Sequence, residues 1–230
     1  MRDNAIKDLR ILAVASLKGG VGKTTLTAHL AVQAERTGAG PVALIDTDPQ
    51  GSLSAWWNSR ESPTPSFASV EISELGSHVS ALRAHARLIL IDTPPAFLPT
   101  VQAAVSVADL VLIPARPSPH DLRAVSPVVD IVEEAQKPFV FVLNAATPRS
   151  IIALEAVRAL AQHGKVAPVI IHHRIDFAAS MVDGRTVGEL DPNSRSAEEI
   201  TSLWLYVNSQ LRKYKGGGIT DLRKRGRPHG

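Results

Sequence analysis

The apolar residues of this chain fall in short, nearly continuous runs, separated by longer segments of mixed polarity. Residues 11–15, 41–46, 87–92, 110–114, 139–143 and 166–172 each read as a strand, with a weaker one near 67–72. Continuous rather than alternating hydrophobicity marks strands covered on both faces, as in parallel sheets. The intervening segments predict helices from Leu26 to about Arg36, then over 52–59, 73–85, 100–107, 120–135 and 151–163. Two more are expected at 177–182 and 196–213. Strands alternating with helices predict an α/β fold, a mostly parallel sheet flanked by helices on both faces. Thr37-Gly38-Ala39-Gly40 ends the first helix, and the breaker cluster Glu61-Ser62-Pro63-Thr64-Pro65 separates the helix at 52–59 from the weak strand near 67–72.

Composition narrows the class. With 230 residues, 44% of them hydrophobic, the chain is expected to form one domain over residues 1–215. Residues 216–230, opening with Gly216-Gly217-Gly218, read as a flexible basic tail. No apolar run reaches the roughly 18–20 residues of a membrane span, and the first ten residues are too polar for a signal peptide. There is no cysteine, so disulfides, thiolate metal sites and iron–sulfur clusters are excluded. A cytoplasmic protein is expected. The net charge of +3 hides an asymmetry: residues 212–230 hold seven of the 25 Lys and Arg but only one of the 22 Asp and Glu. The body is therefore mildly acidic and the tail strongly basic, which points to a polyanion met by the C-terminus.

The most informative stretch is Lys18-Gly19-Gly20-Val21-Gly22-Lys23-Thr24-Thr25, between the first strand and the first helix. Glycines let successive backbone N–H groups converge on one point, and the helix N-terminus adds partial positive charge there. In this context the loop predicts phosphate binding, with Lys23 reaching the β- and γ-phosphates and the Thr24 hydroxyl ligating Mg²⁺. Leu17 stands where the general G-x-x-x-x-G-K-[ST] pattern has its first glycine, and Lys18 precedes the glycine pair. That is the deviant Walker A form, K-G-G-x-G-K-[ST]-[ST].

On these residues the chain resembles the ParA/MinD group of partition and positioning ATPases, P-loop NTPases that use ATP and Mg²⁺. The resemblance extends over about residues 11–214, including Arg174-Ile175-Asp176-Phe177-Ala178, Gly184-Arg185-Thr186-Val187 and Asp191-Pro192. It implies that Lys18 reaches across an ATP-sandwich homodimer to the partner subunit's nucleotide. Asp46, Asp48 and Asp92 end apolar strands, where ligands of parallel sheets gather. Asp92 suits a Walker B aspartate that holds Mg²⁺ through water. The resemblance implies that Asp48, in Asp46-Thr47-Asp48-Pro49-Gln50, positions the attacking water, with Asp46 supporting the metal shell. A strand-end Asp is also a common turn former, so Asp46 stays open. Thr93-Pro94-Pro95 matches the group's D-x-P-P switch segment. Asn144 matches the place where relatives read adenine, and Asp191-Pro192 the later loop over the base, although Asn is also a good turn residue. His172-His173 face opposite sides of a strand and read as structural rather than metal-binding. Trp56 and Trp57 read first as packing residues.

The absence of cysteine sets the chain apart from the nitrogenase iron protein. The hydrophilic end lacks the apolar face of a MinD-type membrane helix, so no membrane partner is expected. Only ten residues precede the first strand, leaving no room for a helix-turn-helix domain and no expectation of operator-specific binding. The resemblance implies a nucleoid-associated ATPase that binds DNA nonspecifically as an ATP dimer, with hydrolysis stimulated by a ParB-like or other cargo-bound activator. The cargo could be a plasmid, a chromosome or a protein assembly. Arg174 and Arg185 are candidate DNA contacts, as are Arg223, Lys224, Arg225 and Arg227 in the tail. The latter contain R-G-R-P, the core of an AT-hook, and equally make a solvated electrostatic tail. The alternatives are an ATP-dependent ligase or amidating synthetase on the same fold, similar to dethiobiotin synthetase, and a MinD-like membrane-positioning ATPase. Lys18, the D-x-D-P-Q element and the basic tail weigh against the synthetase.

Overall fold

A computed structural model describes residues 9–216, the side chains of 215 and 216 excepted. The expected tail cations Arg223, Lys224, Arg225 and Arg227 lie outside the described residues.

Seven strands form one sheet: β1 (Arg10–Val14), β2 (Val42–Asp46), β3 (Ser66–Ser69), β4 (Leu88–Asp92), β5 (Leu110–Ala115), β6 (Phe139–Ala146) and β7 (Val166–His172). Their spatial order is β3-β2-β4-β1-β5-β6-β7, and every pairing is parallel. The continuous apolar runs are explained by two cores, one on each face. Ile11, Ala13, Ile89, Ile91, Val111, Ile113, Phe141 and Leu143 point to one side; Leu12, Val14, Leu88, Leu90, Leu110, Leu112, Val140 and Val142 point to the other. Helices α3 (Leu75–Leu82), α4 (Leu98–Val107), α6 (Ser126–Glu134) and α7 (Ile151–Ala161) cover the first face. The second is covered by α1 (Lys23–Arg36), α2 (Ser52–Asn58) and α10 (Arg195–Gly216), with Trp204 of α10 fully buried. Each buried Val, Leu, Ile or Phe among them contributes about 1.5–3 kcal/mol relative to exposure.

The structure departs from the sequence expectation in four places. The helix expected over 120–135 is two, α5 (Pro119–Arg123) and α6, with Ala124 and Val125 between them. Pro127 occupies the first turn of α6, where its missing N–H is harmless but where it cannot continue a preceding helix. The segment expected as a helix from residue 73 begins with a 3₁₀ turn, Ile72–Glu74, before α3. Between α8 (Ile175–Met181) and α10 lies an additional short helix, α9 (Val187–Leu190), started by a capping box of Thr186 and Glu189. Finally, α10 continues beyond the expected end at 213 to Gly216, the first residue of the expected tail.

One buried polar group joins the helix after the glycine loop to α8. His29 of α1 donates from Nδ1 to the Thr25 carbonyl at 2.7 Å and meets the Ser180 hydroxyl through Nε2 at 3.3 Å, with Phe177 edge-on to its ring. Burial is the chief reason its pKa falls from 6.5 to about 4; the Thr25 carbonyl and Glu189 pull the other way. His29 is thus neutral in the fold and charges more readily in the unfolded chain. Its contribution is present in full above pH 6.5 and is lost as pH falls toward 4, to the extent of about 3 kcal/mol. Urea unfolding of His29→Leu should show a correspondingly flatter loss of stability between pH 6.5 and 4 than the parent chain.

Candidate nucleotide site

The carboxyl ends of β1, β2 and β4 converge because these strands are neighbours in register: Asp46 pairs with Asp92, and Val14 with Asp92. The loop after β1 passes over this edge. Gly20 and Gly22 take positive φ, 73° and 90°, which non-glycine residues adopt only at a cost, and Gly22 leads directly into α1. Val21 is buried, whereas Lys18, Gly19 and Gly20 are exposed and Gly22, Thr24 and Thr25 are half-buried.

Lys23 turns inward. Its Nζ donates to the Lys18 carbonyl at 3.1 Å, so the loop closes on itself through its own lysine. Burial lowers the Lys23 pKa, opposed by the carboxylates of Asp92 and Asp48. Thr24, one residue on, donates its hydroxyl to Asp92 Oδ2 at 2.6 Å, and Thr27, on the same helix face, reaches Asp92 Oδ1 at 3.4 Å. Thr27 was not singled out in the sequence, although its i+3 spacing from Thr24 was the signal.

The three aspartates differ in environment. Asp92 is almost wholly buried; burial above all pushes its pKa up to about 7, with the Thr24 hydroxyl opposing and Asp46 adding to the rise. Asp46 is equally buried, but both oxygens are occupied: Oδ1 takes the Asp48 N–H at 3.0 Å, and Oδ2 takes the Ser54 N–H and hydroxyl at 2.9 and 2.8 Å. It braces the turn to α2. Asp48 is half-buried and takes the Gln50 N–H at 2.9 Å. After β4, Pro94 is buried and Pro95 exposed, and the Ala96 N–H returns to the Leu17 carbonyl at 3.0 Å, tying this segment to the loop.

Asn144, near the end of β6, is buried, and its Nδ2 donates to the Val21 carbonyl at 2.7 Å. Asp191 and Pro192 are not brought to the loop. They follow α9, whose Gly188 lies against Gln33 and Arg36, ten or more residues down α1 from Lys23, roughly 15–20 Å by helical rise. Arg174 is held by Glu199 at 2.7 Å, and the same carboxylate takes the backbone N–H and ring Nδ1 of His172. Arg185 is exposed and paired with Asp183 at 2.6 Å. Trp56 and Trp57 pack as expected: Trp56 is buried and donates to the Arg185 carbonyl at 3.0 Å, and Trp57 stacks on Phe67. Arg60, missed in the sequence, lies over Trp56, with its guanidinium on Glu189 and the Gly184 carbonyl.

The residues fit a bound Mg²⁺–nucleotide. Asp92 and Thr24 face each other across a buried, carboxylate-rich edge that a cation would relieve, and the glycine loop presents its backbone beside Lys23. Among the described residues no three His, Asp or Glu side chains converge as a self-sufficient metal site.

Residues 12–187 match the model of the CobQ/CobB/MinD/ParA nucleotide binding domain. The chain belongs to this family. It is 32% identical to the maintenance of carboxysome distribution protein A of Halothiobacillus neapolitanus, over 82% of this chain and 91% of that protein. It is 26% identical to the chromosome-partitioning ATPase Soj of Thermus thermophilus, with the same coverage of each. The fold of the septum site-determining protein MinD from Pyrococcus horikoshii, solved with Mg-ADP, superposes with a TM-score of 0.75 at 19% identity, covering 90% of this chain and 98% of that one. The chain is thus a ParA/MinD-type P-loop protein with a nucleotide-binding fold.

The Asp46 geometry makes a direct prediction. Asp46→Ala should destabilise the nucleotide-free protein by about 2–3 kcal/mol, because three donors lose a buried charged acceptor. Denaturant unfolding without nucleotide or Mg²⁺ measures this; unchanged stability would mean that the carboxylate serves a ligand rather than the α2 turn.

Proposed function

We propose that this chain is an ATPase that forms an ATP-sandwich homodimer, binds DNA nonspecifically in that state and positions a protein assembly of the carboxysome kind. Hydrolysis would be stimulated by a ParB-like or other cargo-bound activator, returning the chain to a monomer off the nucleoid. One observation carries the reading: the same loop holds a buried Lys23 and an exposed Lys18. Lys23 would neutralise phosphates within its own subunit. Lys18 has its backbone bonded in the loop, the N–H to Ser16 Oγ and the carbonyl to Lys23, and its exposed side chain would serve a second nucleotide. Exposed apolar side chains flank the site on the same end of the sheet, Phe97 and Leu98 after β4 and Ile151, Ile152 and Leu154 at the start of α7. A second copy of the chain would cover them.

In this reading Thr24 and Asp92 would hold Mg²⁺, which would supply charge neutralisation for the β- and γ-phosphates. Asp48, half-buried at the same strand edge, would orient the attacking water. The choice of cargo follows the similarity to carboxysome distribution proteins, two of which are 32% and 34% identical to this chain. No helix among the described residues is long and apolar enough to cross a membrane.

Light scattering with ATP and Mg²⁺ tests the dimer. The parent chain should double in mass, Lys18→Ala should bind ATP but stay monomeric, and Asp48→Ala should accumulate as a dimer that does not turn over. Normal hydrolysis by Asp48→Ala would remove its assigned role.

Arg174 and Arg185, each paired with an acidic neighbour, would have to exchange that partner for phosphate, so the proposal assigns much of the DNA attraction to the tail. Each phosphate neutralised contributes about −0.9 to the slope of log K against log salt. Truncation after Lys215 should therefore flatten the slope by up to roughly 3–4 units per tail engaged. An unchanged slope removes the tail from DNA binding, and equal loss on A·T-rich and G·C-rich duplexes rejects the hook alone.

A further inference from the structure

We propose that Asn144 is a positioning residue of the phosphate cradle, fixing the direction of the Val21–Gly22 peptide so that the Gly22 N–H faces the nucleotide phosphates. The inference rests on the nucleotide reading above and deepens it.

The bond from Asn144 Nδ2 to the Val21 carbonyl spans 123 positions in sequence and 2.7 Å in space. A carbonyl only accepts, so the amide nitrogen must face it. Both residues are buried, Asn144 at 8% and Val21 at 1% exposure, and a bond shielded from water is costly to leave unmade. Across a planar trans peptide the carbonyl and the following N–H point in opposite directions. Drawing the Val21 carbonyl toward Asn144 therefore turns the Gly22 N–H away from it. The strand order supplies the direction. From β1, which carries the loop, β6 lies two strands away on one side, and β4 with Asp92 is the neighbour on the other. The Gly22 N–H is thus aimed at the side where Thr24 meets Asp92 and Lys23 folds inward.

Gly22 itself is shaped to this contact. Its φ is 90°, and a Cβ there would stand 2.2 Å from Asn144 Nδ2, displacing the amide. The absence of a side chain at residue 22 and the amide at residue 144 are two halves of one fit. Asn144 keeps a second N–H and its oxygen beyond this bond, but the role needs neither, so it is independent of the base.

Asn144→Asp keeps the shape and removes the donor; Asn144→Ser keeps a hydroxyl donor that is too short to reach directly. The probes are ATP and ribose 5-triphosphate, which lacks the base, titrated with Mg²⁺ by calorimetry. Each variant's unfolding transition without nucleotide shows that it is folded, and the readout is taken on whichever variant is. Affinity for both ligands should fall by the same factor, about tenfold or more. A loss confined to ATP would overturn the inference in favour of adenine reading. Unchanged affinity for both, with only a lowered unfolding temperature, would overturn it in favour of a purely structural bond. If the parent chain binds neither ligand, the nucleotide reading itself fails, and that outcome is visible before any variant is made.

Discussion

The structure turns on two buried carboxylates placed side by side. Parallel register makes Asp46 and Asp92 direct neighbours on β2 and β4, each about 1% exposed. Two ionised carboxylates so close in a low-dielectric edge repel each other, and burial penalises both. The chain answers with two different environments. Asp46 receives three donors from the turn and first residues of α2, whereas Asp92 receives hydroxyls from Thr24 and Thr27 and has its pKa raised to about 7. One carboxylate becomes a fixed brace. The other is left wanting a cation, and it stands beside the loop that presents Lys23 and Thr24.

That asymmetry has reach because α2 is held at its far end as well. Its start is fixed by Asp46, while near its end Trp56 donates to the Arg185 carbonyl and Arg60 clasps Glu189 and the Gly184 carbonyl. Arg60 has a side chain only 3% exposed, so its ion pair with Glu189 is shielded on one side. Gly184 is required where it is: a Cβ would lie 2.4 Å from the Arg60 backbone nitrogen. Helix α2 is therefore braced at both ends, by Asp46 at its start and by the Gly184–Glu189 segment at its end. Structural bonds of this kind also account for His172, whose ring nitrogen and N–H both end on Glu199.

The sheet was legible because burial on both faces leaves an uninterrupted apolar run, and β7 matches residue for residue. The glycine loop was legible as a turn between strand and helix because positive φ at Gly20 and Gly22 dictates residue type at fixed positions. The features that escaped were decided by short-range capping or by tertiary partners. Pro127 marks the first turn of α6, and Thr186 with Glu189 marks the start of α9; both are local signals overshadowed by the longer apolar pattern. By contrast, nothing in the sequence around Asn144 tells that its amide meets Val21, or around Asp191 that it lies beside the far end of α1. Those facts belong to the packing of distant elements, which a single sequence does not encode in any local pattern.

Three of the four non-glycine residues at positive φ among the described residues lie at the same edge, the fourth, Gln136, preceding β6 at the other end. Ala96, Ala145 and Arg149 all hold positive φ, at 55°, 52° and 59°, where a side chain costs about 1–3 kcal/mol. Ala96 follows β4, Ala145 sits at the end of β6 next to Asn144, and Arg149 lies in the connection to α7. Such conformations persist only when the surroundings over-determine them. Here the strands beneath do so: Leu88 through Ile91 and Val140 through Leu143 are fully buried against both layers of helices. A strand packed on both faces cannot slip by one residue without exchanging its two apolar sets. The Leu17 carbonyl then anchors Ala96, and the Val21 carbonyl anchors Asn144, so the phosphate loop is held from β4 on one side and from β6 on the other. Both anchors are backbone carbonyls of the loop itself. The segment after β4 and the end of β6 thus meet at one loop, each bonded to a different carbonyl of it.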